Sequence, residues 1–111
     1  MKQPRWMVVA LLTLCAAVAT AADGDFTFVV LGDRTGGHQE GVYGRVVEAA
    51  LGEGADLYLT VGDQIEGYSD NPDRVRNEWT EYLSIVEALD GPLYQTPGNH
   101  DIWDGASEEL W

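Results

Sequence analysis

Three short runs rich in β-forming residues, at 26–31, 56–61 and 93–96, are separated by two stretches long enough to hold a helix. That alternation constrains the fold more than any other feature. Consecutive antiparallel strands can be joined by a tight turn, whereas parallel strands need a crossover of a dozen or more residues. The order β-α-β-α-β therefore predicts an α/β fold with parallel strands and helical crossovers. The first run, Phe26-Thr27-Phe28-Val29-Val30-Leu31, is nearly continuous in apolar residues, the pattern of a strand buried on both faces.

The intervening stretches carry helical spacing. Val42, Val46, Ala49 and Ala50 recur on one predicted face, and Gly52 and Gly54 mark its stop. Asn71-Pro72 supplies an N-cap followed by proline at the first helical position. Val75, Trp79, Tyr82, Leu83, Val86 and Leu89 then form the apolar face of a second helix, closed by Gly91-Pro92.

The chain has 111 residues, room for one small domain. Its 19 Asp and Glu outnumber 6 Lys and Arg, and no basic patch exists to hold nucleic acid through its phosphates. A single cysteine excludes an intrachain disulfide framework. Residues 1–22 read as a secretory signal peptide. Lys2 and Arg5 precede an apolar run from Trp6 to Ala19, and Ala19-Thr20-Ala21 offers small residues for cleavage. That run is shorter than the roughly 20 residues that span a bilayer, so no membrane span is expected after cleavage. Leu14 before Cys15 argues against a lipidation site. The expected mature part, 23–111, is exported to a periplasmic or extracellular space. It keeps every acid but only Arg34, Arg45, Arg74 and Arg76 as formal cations, a balance that suits a protein that gathers cations.

Ligands of open parallel sheets bind beyond the carboxyl ends of the strands. Gly32-Asp33-Arg34-Thr35-Gly36-Gly37-His38 follows the first strand, Gly62-Asp63-Gln64-Ile65-Glu66-Gly67 the second, and Gly98-Asn99-His100-Asp101 the third. The topology puts Asp33, Asp63 and Asn99 on one rim. Carboxylates, an amide oxygen and imidazoles are ligands for Mn, Fe or Zn.

These segments resemble the first three motifs of the calcineurin-like metallophosphoesterase superfamily, with Gly98-Asn99-His100-Asp101 the most specific of them. The resemblance implies an α/β/β/α sandwich, of which this chain would be the N-terminal part. It further implies two divalent metal ions about 3.5–4 Å apart and hydrolysis of a phosphate-ester substrate, mono- or diester. Carried over by position, Asp63 would bridge the metals, Asp33 would bind one, and the Asn99 side-chain oxygen the other. His100 would face the substrate, stabilising charge or protonating the leaving oxygen, with Asp101 orienting it. His38 and Arg34 are further candidates, Arg34 either as a clamp for a substrate phosphate or as a cation that simply offsets the neighbouring acids.

Two departures accompany the resemblance. Thr35 stands where the family's first motif usually has histidine, with His38 three residues further on. The family's later histidine ligands have no counterpart, since His38 and His100 are the only histidines. Glu66 stands where purple acid phosphatases place tyrosine; it reads as a loop support, and Tyr68 as a loop or packing residue. The helix start at 107–111, with Ser107 as cap, fits a domain that continues. An alternative of another class is a non-catalytic exported module that binds divalent cations or phosphorylated partners through the same rim. A dinucleotide fold and a serine hydrolase lack their G-x-G-x-x-G and G-x-S-x-G signatures.

Overall fold

The computed structural model describes residues 24–103 and 111. The leader assigned to 1–22 and most of the helix start at 107–111 lie outside that range. The elements run β1 (Phe28–Leu31), α1 (Val42–Gly52), β2 (Leu57–Thr60), α2 (Pro72–Val86) and β3 (Leu93–Tyr94). The sheet has the order β1-β2-β3, and both pairings are parallel. The small α/β unit and its parallel strands follow the reading of the sequence, each strand being shorter than its apolar run. No helix among the described residues is long and apolar enough to cross a membrane.

Register explains which side chains enter the core. Phe28 pairs with Leu57 and Val30 with Leu59, while Val29 pairs with Tyr58 and Leu31 with Thr60. Side chains alternate across a strand, so the second set shares one face and the first set the other. Leu31, Tyr58 and Thr60 are buried on the helix-covered face, and α1 and α2 pack against each other. Phe28, Val30 and Tyr94 lie more than half exposed on the opposite face. The expectation that the first strand is buried on both faces is thus corrected: among the described residues only one face is covered.

The helices pack through Tyr43 and Val47 of α1 against Val75, Trp79, Tyr82 and Val86 of α2. The predicted face of α1 is out of phase by one residue. Val42 and Val46 are exposed, and only Ala50 of the expected set is buried. Tyr43 and Val47 keep the same i, i+4 spacing but offer an aromatic ring that fits against Tyr82, with ring centroids 6.1 Å apart. Leu83 of α2 is also exposed. The start of α2 is as read: Asn71 Oδ1 accepts from the backbone N–H groups of Asp73 and Arg74, and Pro72 fills the first turn.

Candidate functional site

Each strand ends by delivering a polar residue to the same edge of the sheet. Asp33 follows β1 and Asp63 follows β2, both with left-handed backbones, φ 46° and 56°. That region is uncommon for residues bearing a Cβ, and aspartate is among those that tolerate it best. Asp33 is exposed and Asp63 half-buried.

Glycines let the β2 and β3 tips touch through their backbones. A Cβ on Gly62 would overlap the backbone of Gly98, and one on Gly98 would overlap the Asp63 carboxylate. A Cβ on Gly67 would meet the carbonyl of His100. The two loops therefore interlock at three glycines.

Asp101 is the centre of that interlock. It is wholly buried. Its Oδ2 accepts from the N–H groups of Asp63 and Gly98, each at 2.7 Å. Its Oδ1 accepts from Gln64 and Ile65 at 2.9 and 3.1 Å. Four backbone donors of two turns converge on one carboxylate, the only neighbour type that can accept from all of them. The expectation that Asp101 orients the His100 ring is corrected accordingly, because its oxygens serve backbone N–H groups of the turns.

The His100 ring is held from elsewhere. Its Nδ1 lies 2.7 Å from the Glu66 carbonyl oxygen. A carbonyl only accepts, so Nδ1 carries the proton and Nε2 is left for other partners. The His100 backbone N–H donates to Asp63 Oδ1 at 3.1 Å. Asn99, exposed, donates its side-chain amide to the Tyr68 hydroxyl. The ring of Tyr68 meets the His100 imidazole edge-on at 4.4 Å and Trp103 at 4.7 Å. Tyr68 is thus brought beside Asn99 and His100, where its sequence position suggested a loop or packing residue.

The β1 loop joins the other two through polar contacts. His38 Nδ1 lies 2.6 Å from Glu66 Oε1. That hydrogen bond, followed by the N–H groups of Gly36 and Gly37, holds the Glu66 carboxyl below its ordinary range, against the opposing effect of burial. Glu66 therefore ties the first loop to the second. His38 lines a shallow cavity with Asp33, Thr35, Gly36, Gly37 and Gln39. Arg34 lines the same cavity, but its cation is engaged elsewhere. Its guanidinium is buried, donating to the Gln64 carbonyl at 2.9 Å and to Glu81 of α2 at 2.6 Å. The phosphate-clamp expectation for Arg34 is corrected: the cation is already paired with Glu81 and serves to bind the loops to α2.

No family model, curated protein or solved structure matches the chain.

The donor set is of a kind that suits a divalent cation. Among the described residues, neither Asp33 nor Asp63 forms a salt bridge with Arg or His. The buried Thr35 hydroxyl, beside Asp33 in the same cavity, has no hydrogen-bond partner among them. Carboxylates without a cationic partner on an acidic chain favour a cation over an anion. Among the described residues no group of three or more His, Cys, Asp or Glu surrounds one point.

Proposed function

We propose that the chain supplies the strand-tip ligands of a metal-dependent phosphoester hydrolase, a dinuclear centre completed by ligands outside the described residues. Asp33, Asp63 and Asn99 would hold the cations through oxygen. The observation that carries this reading is the interlock of the β2 and β3 turns, which gathers Asp63, Asn99 and His100 beyond the carboxyl ends of parallel strands. A bound pair of divalent ions supplies charge neutralisation and a nucleophilic water near neutral pH. The chain's own residues do the rest. Asp101 fixes the turns, and the Glu66 carbonyl keeps the His100 proton on Nδ1, so that Nε2 takes up a proton from water and, as the imidazolium, passes it to the leaving oxygen. The leader-like segment fits export of such an enzyme.

The product of the complete gene, loaded with Mn²⁺, is expected to hydrolyse p-nitrophenyl phosphate or its diester. Asp63→Asn should lower kcat by about 1,000-fold, on the order of losing a preorganised charge in the site. His100→Ala should cost about 100-fold on an alkyl phosphate and far less on the p-nitrophenyl ester, whose leaving group needs little protonation. Undiminished hydrolysis by both variants would refute the assignment.

One observation favours the non-catalytic reading, a module that binds divalent cations or phosphorylated partners. Thr35 offers a hydroxyl where the resemblance calls for an imidazole, and His38 is already engaged by Glu66. Metal binding with no hydrolysis of either ester would select that reading.

A further inference from the structure

We propose that Tyr68 is the positioning residue of this site, holding the side chains of Asn99 and His100 in fixed relation to each other. The proposal rests on the functional reading above for its effect on turnover, but its structural basis is independent of it.

Tyr68 has a left-handed backbone, φ 46°. Only two other non-glycine residues described here share that conformation, and they are Asp33 and Asp63. An L-residue in this region is disfavoured by roughly 1–2 kcal/mol, and a bulky one is a genuine outlier. Glycine or asparagine would meet the geometry at lower cost. Burial does not offset the strain, because Tyr68 remains 43% exposed. The contacts made by its side chain do distinguish it. Its hydroxyl takes the Asn99 amide, which turns the Asn99 oxygen away from the tyrosine. Its ring edge packs on the His100 imidazole with the planes 75° apart, limiting rotation of a ring whose Nδ1 the Glu66 carbonyl already holds. Trp103 braces the ring in turn, at 61°. Strain at an exposed residue whose contacts lead to two candidate site residues marks a position shaped by function.

Three variants of the full chain separate positioning from packing. Tyr68→Phe removes the hydroxyl alone, Tyr68→Leu removes hydroxyl and ring on the same strained backbone, and Tyr68→Gly removes both while relieving the backbone. In metal-free protein, the NMR signal of the Asn99 side-chain amide should move in Tyr68→Phe, with the His100 ring signals unchanged. Both sets should move in Tyr68→Gly, while its urea midpoint stays level or rises. In the Mn²⁺-loaded protein, kcat should fall about 10-fold for the Phe variant and about 100-fold for the Gly variant, KM moving less than about threefold, as for outer partners that orient ligands. Unmoved Asn99 and His100 signals in Tyr68→Gly would overturn the proposal, as would a urea midpoint that drops as it does for a core residue. If the wild type hydrolyses neither ester while those signals move as described, the functional reading fails and the positional role of Tyr68 stands.

Discussion

Asp101→Ala will lower the unfolding free energy by about 4 kcal/mol, a large part of the 5–15 kcal/mol typical of a small domain. The estimate follows from the four backbone N–H groups that this carboxylate accepts. Hydrogen bonds to a charged acceptor contribute about 1.5–3 kcal/mol each, and a buried donor left without one costs about 1–3 kcal/mol. The N–H groups of Gln64 and Ile65 are in buried settings and would be stranded. Those of Asp63 and Gly98 are partly buried, and water entering the space left behind can reach them, which holds the total below a simple sum. Asp101→Asn keeps the volume and one acceptor, but presents an NH₂ group to two N–H donors. It should cost about half as much. Urea denaturation followed by tryptophan fluorescence gives both values. A loss below about 1 kcal/mol for the alanine variant would mean that the turns are held together by something else.

Gly67→Ala will be the next most damaging change, at about 3 kcal/mol, combining a left-handed alanine with a clash that no side-chain rotation can relieve. Gly67 has φ +57°, and the new Cβ would meet the backbone carbonyl of His100. Because that neighbour is backbone, relief requires the two loops to separate, which also disturbs the Asp101 hydrogen bonds. Gly54 is the control. It has φ +62° with nothing within 4 Å of its Cβ position, so Gly54→Ala should cost only about 1 kcal/mol of conformational strain. Equal losses for the two variants, measured by the same denaturation, would show that the interlock adds nothing to the backbone term.

The parts of this chain legible in its sequence are those where one local pattern has one physical meaning. Alternating apolar runs and helical stretches leave parallel strands as the economical topology, and Asn71-Pro72 is a cap whose side chain and missing N–H both fit a helix start. The glycine-flanked polar residues at the strand tips were visible for a related reason: a rim position follows from strand direction alone. What sequence could not supply was direction and partner choice. Val42 and Tyr43 offer α1 two apolar faces about 100° apart, and only the fit of Tyr43 against Tyr82 decides between them. Arg34 sits amid glycines as a solvated cation would, and its burial depends on Glu81, 47 residues away. Asp101 reads as a partner for the neighbouring His100, whereas its four donors include three from the β2 turn, 36 to 38 residues away. Tyr68 carried no signal, since its importance lies in a left-handed backbone that tyrosine sequences do not announce.

The fold and the site connect through the same few groups. Helix packing seats the sheet and buries Leu31, Tyr58 and Thr60 on one face. The strands then present their tips at one edge, and the carboxylate of Asp101 sets the turns that follow β2 and β3. Glu66 links this assembly to the β1 loop through His38 and to His100 through its own carbonyl. The result places oxygen donors on a chain whose formal net charge is −13, an electrostatic setting that concentrates cations.

The central claim is that Asp33, Asp63 and Asn99 share divalent cations, and manganese offers the most direct measurement of it. Titration of the complete gene product with Mn²⁺ should fill two sites per chain, and low-temperature EPR should show the multiline spectrum of a spin-coupled pair. Asp63→Asn should reduce that to the signal of a single isolated ion or abolish binding. A wild-type chain that takes up no manganese, or an Asp63→Asn chain that gives the same coupled spectrum, would contradict the account.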